Sequence, residues 1–277
     1  MNPAPSFESW IGRREAFEPD TVTPRLCRQY AATFGELLAL VPGTAPGLHW
    51  CLAPAIANAD ELGPDGHPEK GGFLPPIPLP RRMWASGSVE FLEPLLPGHT
   101  VHKTSMIKDI AWKTGRSGKL CFVTVATDYT TGKRTAIRER QHIVYRDAAK
   151  RATVTGIPDT AELVFDVEKR TDITSTLLFR YSALTFNSHR IHYDLPYAQQ
   201  EEEYPDLVVH GPLQATLLLN LASSIKSALP RHFEFRAVVP ATGLQSLKAG
   251  AIVGGNHCDL KVVSEDNVVT MTASARW

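Results

Sequence analysis

The feature that most restricts this chain is that it repeats itself. Tyr30-Ala31-Ala32-Thr33-Phe34 has an echo in Tyr181-Ser182-Ala183-Leu184-Thr185-Phe186, with the Thr-Phe pairs 152 residues apart. Gly98 ahead of Val101 returns as Gly250 ahead of Val253, again 152 residues on. Val123-Thr124-Val125-Ala126 has a counterpart in residues 269–273, at an offset of 146. Strands resemble one another in any β protein, but that alone does not give two distant matches the same offset. A length of 277 residues admits one large domain or two smaller ones. The repeat selects two units, 1–150 and 151–277, with a seam near 147–158.

Both units read as antiparallel sheet. Runs rich in β-branched and aromatic residues cover 86–92, 100–109, 120–129 and 134–145, then 233–239, 250–263 and 268–275. Gly115-Arg116-Ser117-Gly118 and Thr131-Gly132-Lys133 supply hairpin turns. The second unit adds a helix over 213–229, opened by His210-Gly211-Pro212 and closed by Pro230. Proline suits the first helical turn, where its missing N–H is not needed. Leu213, Leu217, Leu218, Leu221, Ile225 and Leu229 leave little polar circumference, so the sheet is expected to wrap this helix. The matching stretch of the first unit, 48–72, carries Pro54, Gly63, Pro64, Gly66, Pro68 and Gly71 and cannot hold an equal helix. A helix replaced by a loop leaves room there for a substrate cavity.

Charge excludes several functions. Lys and Arg total 29 against 29 Asp and Glu, so there is no overall field to hold a nucleic acid. No apolar run approaches the roughly 18–20 residues of a membrane helix. Arg13 and Arg14 near the N-terminus are not followed by the apolar stretch of a secretory signal. Cys27, Cys51, Cys121 and Cys258 are scattered, without metal or disulfide spacing. A cytoplasmic protein with no metal, no nucleic acid and no membrane partner is expected. Residues 115–120 lack P-loop spacing, and His99 and His102 have no acidic or cysteine partners for a metal.

Chemistry concentrates in Phe186-Asn187-Ser188-His189-Arg190-Ile191-His192-Tyr193-Asp194-Leu195-Pro196-Tyr197-Ala198. This segment resembles the hydratase motif of MaoC-like (R)-specific enoyl-CoA hydratases. Asn187 stands at the family's Asp, His189 at its Asn and Arg190 at its Pro, while Ile191, His192, Asp194, Tyr197 and Ala198 match. The wording Thr-Phe-Asn-x-His-Arg-Ile-His-Tyr-Asp is similar to the subgroup of mesaconyl-C4-CoA and itaconyl-CoA hydratases and mitochondrial 3-hydroxyacyl-thioester dehydratases. Trp10-Ile11-Gly12-Arg13 and Leu79-Pro80-Arg81-Arg82-Met83-Trp84 extend the resemblance over most of the chain. It implies an α+β double hotdog with one active site, acting on an acyl-CoA. CoA is then part of the substrate, and no cofactor is expected.

The residues themselves suit that reaction. Hydrating an enoyl thioester needs a base for water, a proton for Cα and dipoles for an enolate-like oxygen. His192 is the natural acid/base, because its ordinary pKa lies near neutrality. The free N–H groups at the start of the Pro212 helix suit the thioester oxygen, and Gly211 lets a substrate approach them. An amide at Asn187 can hold water but cannot trade protons, so His192 is expected to act alone, with Asp194 or His189 as candidates for a second donor. Asp194 also fits a helix N-cap. Arg190 beside the chemistry suggests a substrate with its own carboxylate, as in itaconyl-CoA or mesaconyl-C4-CoA, which hydrate to citramalyl-CoA; a structural ion pair is the alternative. His189, Arg82 and Arg236 complete the candidate substrate contacts. At an offset of 152, Asn187 and His192 map to Gly35 and Leu40, so only the second unit is armed. A thioesterase and a non-catalytic acyl-CoA-binding protein stay open as alternatives, and a homodimer is compatible with the fold.

Overall fold

The computed structural model describes residues 6–115, 118–147 and 163–277. Its strands are β1 (Arg14–Ala16), β2 (Asp20–Thr21), β3 (Arg81–Phe91), β4 (Thr100–Gly115), β5 (Gly118–Thr131), β6 (Arg134–Arg146), β7 (Val167–Asp172), β8 (His232–Ala237), β9 (Ser246–Val253), β10 (His257–Val263) and β11 (Val269–Arg276). They form a single antiparallel sheet in the order β1-β4-β5-β6-β3-β8-β11-β10-β9-β7, with β2 also on β4. The order reads the same outward from the β3–β8 junction: β3-β6-β5-β4 on one side, β8-β11-β10-β9 on the other. This is the duplicated α+β arrangement of a double hotdog.

The helices are α1 (Pro24–Phe34), α2 (Ser175–Thr185), α3 (Leu195–Gln200) and α4 (Gly211–Lys226). The first two are copies of one device. Thr23 and Thr174 cap them, accepting the N–H of Leu26 and Leu177 at 3.1 Å. Each buries a tyrosine seven residues in, Tyr30 and Tyr181, and ends on a residue of positive φ, Gly35 at 52° and Phe186 at 51°. Sequence patterning left both helices undetected; in α2 an exposed Phe179 blurs the apolar stripe.

The central helix is α4, and its burial explains its composition. Leu213, Leu217, Leu218, Leu219 and Leu221 are each no more than 5% exposed. Each such burial contributes roughly 1.5–3 kcal/mol. The polar residues interrupting the apolar run are satisfied by other segments. Asn220 donates to Pro46 O at 3.1 Å and accepts from Ala39 N at 2.9 Å, while Gln214 Oε1 accepts from Thr270 Oγ1 at 2.6 Å. Asn220 thereby fastens the loop after α1 to the helix.

Some expectations need correction. Residues 250–263 are two strands, not one, reversing at Gly254-Gly255-Asn256 with a bond from Gly254 N to His257 O of 2.8 Å. Val123–Ala126 lies in β5 but residues 269–273 lie in β11, which is the counterpart of β6. Val101 sits at the start of β4 and Val253 at the end of β9. Those two matches therefore join non-equivalent positions, and the repeat rests on strand order and on α1 and α2. The expected seam falls, apart from Asp147, outside the described residues. The first-half loop holds only short 3-10 turns, Leu48–Cys51 and Ala59–Glu61, as its prolines and glycines require. Continuing, the chain lays Ile77 and Leu79 against Cys121, Val123 and Val125, so much of the room expected there is filled by the chain itself. A cavity of about 700 Å³ instead opens on the other face of the sheet, bordered by Arg140, His142, Phe165 and Arg236.

Candidate active site

The segment after α2 is shaped by short-range hydrogen bonds. Asn187 N donates to Ser182 O at 2.8 Å, and Asn187 Oδ1 accepts from His189 N at 3.0 Å, the side-chain turn that asparagine favours. A 3-10 turn, Arg190–His192, follows. Asp194 then caps α3 by accepting Tyr197 N at 3.1 Å. These turns bury His192 to 7% exposure. Its Nδ1 lies 2.7 Å from Val208 O. A carbonyl can only accept, so Nδ1 carries the proton and Nε2 presents a lone pair. No described residue hydrogen-bonds that Nε2. Burial, and then the neighbouring His210 and His189, hold the imidazole well below the usual histidine range; the Val208 bond opposes this.

His192 lies against the start of α4. Its ring stacks on His210 with centroids 3.6 Å apart and planes 20° from parallel. His210 Nε2 is 2.8 Å from Ser182 Oγ, and burial pushes the His210 pKa down to about 3. His210 is the N-cap residue but makes no side-chain cap, and no hydrogen bond among the described residues takes up the N–H of Gly211 or Leu213. The Gly211 N–H, at the positive end of a 16-residue helix, is thus available to a polarised oxygen, whereas Leu213 is fully buried. A Cβ on Gly211 would stand 3.0 Å from Trp84 Cε3, so glycine keeps this approach narrow but open. Trp84 is itself fixed by stacking on Phe235, with centroids 4.2 Å apart.

The first half contributes residues that sequence reasoning missed. Arg190 N donates to Asp65 O at 2.9 Å, Arg190 Nη1 to Pro64 O at 3.0 Å, and Ser188 Oγ to Gly66 O. Gly66 is at φ +84°, and a Cβ there would lie 2.0 Å from Ser188 O, so only glycine lets the loop close on the motif. Docked this way, His67 Nδ1 lies 3.1 Å from Asp65 Oδ2 and its backbone N donates to Asp65 Oδ1 at 2.9 Å. The His67 ring is 4.1 Å from that of His189, which is 5.4 Å from that of His192. Burial would raise the Asp65 carboxyl, but the side-chain bond and charge of His67, its N–H and the charge of Arg82 together hold it well below the usual range. Burial lowers the His67 pKa to about 4, against the pull of Asp65. Asp-Gly-His in a proline-rich loop was the available signal; a separation of more than 120 residues from the motif hid its meaning.

The expected site residues divide by position. His192, Gly211 and His189 converge, with Asn187 at the edge and its Oδ1 committed to the turn. His189 Nε2 is buried without a hydrogen bond, 3.7 Å from Glu202 Oε1. Arg190 is committed to structure: Nε and Nη2 reach Asp194 Oδ2 at 2.9 and 2.7 Å, Nη1 reaches Pro64 O, and its guanidinium lies 4.1 Å from the Tyr197 ring centre. Arg82 stands close enough for its charge to act on Asp65, His67 and Tyr145. Arg236 does not join this group. It alternates with the core residues Phe233 and Phe235 and so lies on the outer face of β8. Among the described residues, one cluster could hold a cation: Asp65, His67 and His189 each place a ligand atom within 4.8 Å of the others. No described helix is long and apolar enough to cross a membrane.

Comparison with known proteins identifies the family. Residues 47–242 match the family described as hydroxyacyl-thioester dehydratase type 2. The chain is 40% identical over 276 residues to a mesaconyl-C(4)-CoA hydratase of Chloroflexus aurantiacus, covering 96% of both. It is 26% identical over 242 residues to the mitochondrial hydroxyacyl-thioester dehydratase type 2 of Schizosaccharomyces pombe, covering 79% of this chain and 81% of that protein. Among solved structures, a MaoC-like dehydratase superposes with TM-score 0.73 at 14% identity, covering 98% of this chain and all of that one. A Mycobacterium tuberculosis protein with a double hotdog fold superposes with TM-score 0.59 at 12% identity, covering 99% and 98%. The chain belongs to the hydroxyacyl-thioester dehydratase type 2 family, it shares the double hotdog fold, and it is a hydro-lyase.

Proposed function

We propose that the chain reversibly hydrates a short enoyl-CoA, with branched C5 dicarboxylic esters such as mesaconyl-C4-CoA or itaconyl-CoA as substrates and citramalyl-CoA as product. The observation that carries this reading is His192, its Nδ1–H bonded to Val208 O and its Nε2 without a hydrogen bond among the described residues, packed against the uncapped start of α4. In the hydration direction, the Nε2 lone pair engages the attacking water, and Asn187 helps place it through its amide nitrogen. The thioester oxygen gains negative charge as Cβ is attacked, and the Gly211 N–H with the helix dipole stabilises it. Losing one such donor typically costs about 3 kcal/mol of transition-state stabilisation. Support for the substrate comes from the 40% identity to a protein named for mesaconyl-C(4)-CoA. Because the Arg190 fork is engaged by Asp194, the distal carboxylate of such a substrate falls to Arg82. CoA enters as part of the substrate and the chemistry asks for no cofactor. Thiols without disulfide partners, at Cys27, Cys51, Cys121 and Cys258, fit a reducing compartment such as the cytoplasm.

The test is a panel of crotonyl-CoA, itaconyl-CoA and mesaconyl-C4-CoA followed by mass spectrometry, with a thiol reagent reporting free CoA. The expected result is a gain of one water with no CoA released, fastest on a dicarboxylic ester. Release of CoA without hydration would establish a thioesterase instead.

A further inference from the structure

Hydration by this site leaves one question of charge. A proton taken by His192 would rest on a buried imidazole that stacks on His210 and has His189 beside it, with only a neutral carbonyl on its Nδ1. None of these neighbours compensates an imidazolium. Asn187, at the position where the resembling motif has a carboxylate, cannot do so either. The only carboxylate hydrogen-bonded to an imidazole among the described residues is Asp65, and the loop that carries it is clamped onto Ser188 and Arg190.

We infer that Asp65 and His67, supplied by the first half of the chain, form a second acid–base pair of this site, with His67 the catalytic residue and Asp65 its positioning residue. The inference rests on the hydratase reading and deepens it. Asp65 accepts the Nδ1–H of His67, which leaves the Nε2 of His67 as a lone pair with no protein hydrogen bond among the described residues. A carboxylate behind the imidazole fixes the tautomer and offsets the charge once Nε2 is protonated. In hydration, an O–H bond of water breaks as its oxygen bonds to Cβ. The proton passes to His67 Nε2, directly or through one further water, while the π pair moves onto Cα and the thioester oxygen. The His67 imidazolium then returns the proton to Cα, and the pair is again Asp65 carboxylate and neutral His67. His192 keeps its hydrogen bond to the oxygen that becomes the hydroxyl. Dehydration runs the same steps backward. The first half, unarmed by its own motif position, thus completes the site of the second.

Two conservative variants test this. His67→Asn keeps an N–H donor for Asp65 and removes the Nε2 lone pair; Asp65→Asn keeps the shape and removes the charge. Each is expected to lower kcat by about 10²–10⁴-fold with KM changed less than threefold, and the double variant to be no slower than His67→Asn. Circular dichroism confirms the fold, and Asp65→Asn carries the test if His67→Asn does not fold. Wild-type hydration with either folded variant within fivefold of its kcat, or with losses confined to KM, overturns the inference and leaves the hydratase reading intact. A wild type that hydrates no enoyl thioester defeats the underlying reading instead. Nitrogen-15 spectra of His67 then decide separately, with a neutral Nδ1–H tautomer expected at pH 7 and lost in Asp65→Asn. An Nε2–H tautomer, or a stoichiometric zinc ion held by Asp65, His67 and His189, overturns the inference whatever the activity.

Discussion

Replacing His49 with phenylalanine should remove one step of acid sensitivity without touching the chemistry. His49 is 2% exposed and its Nε2 has no hydrogen-bond partner. Trp50, Phe91 and Tyr129 surround it with ring centroids 4.5, 5.6 and 5.5 Å away. Burial, and then the charge of Lys103, push its pKa from 6.5 to about 3. The folded chain therefore refuses a proton that the unfolded chain accepts from about pH 6.5 downward, so stability falls as pH drops through the window from 6.5 to about 3. At pH 5 the unfolded state is 1.5 units below its pKa, which costs the native state about 2 kcal/mol relative to pH 7. That is a large share of a stability of order 5–15 kcal/mol. A phenyl ring matches the aromatic surroundings, and a void of about 10 Å³ beside His49 and Phe91 accommodates its extra bulk. Urea unfolding at pH 7 and pH 5 measures the difference. The variant should lose about 2 kcal/mol less than wild type between the two, since other titrating groups contribute alike to both. Equal losses would falsify the claim that this histidine is neutral because it is buried.

Other substitutions probe the site. Gly66→Ala, with a Cβ 2.0 Å from Ser188 O at a positive φ, should detach the loop from the motif and lower kcat at least tenfold; wild-type activity with unchanged melting would contradict the clamp. Gly211→Ala pushes a methyl to 3.0 Å from Trp84 and narrows the approach to the helix N–H groups, so kcat/KM should drop about 10–100-fold, with melting shifted by only a few degrees. Arg190→Ala should slow crotonyl-CoA and a dicarboxylic ester by the same factor and lower thermal stability, because the guanidinium braces Asp194 and Pro64. A loss confined to the dicarboxylic ester would return Arg190 to substrate binding. Arg82→Ala should show that selective loss.

Much of the sheet was legible because long strands are rich in β-branched and aromatic residues between turn signals, with buried and exposed positions alternating clearly in β5. The α4 helix was legible from its leucines between two prolines, though it ends at Lys226, before the predicted 229, because Ser227 turns left-handed. What stayed hidden depends on distance. Nothing local in Asp65-Gly66-His67 says that Ser188 and Arg190 will receive it, since those bonds join segments more than 120 residues apart. His210 was read as a helix opening, and only its stacking on His192 reveals it as a wall of the site. Arg190 was readable as a charge near the chemistry, but its engagement by Asp194 is an i, i+4 geometry that the intervening 3-10 turn creates.

The most direct measurement is hydration of mesaconyl-C4-CoA in oxygen-18 water, followed by mass spectrometry, for the wild type and a folded His192→Ala variant. The account predicts that the wild type adds one labelled water and keeps the CoA thioester intact, and that the variant is at least 100-fold slower. Equal rates in the two proteins, or free CoA as the product, would contradict it.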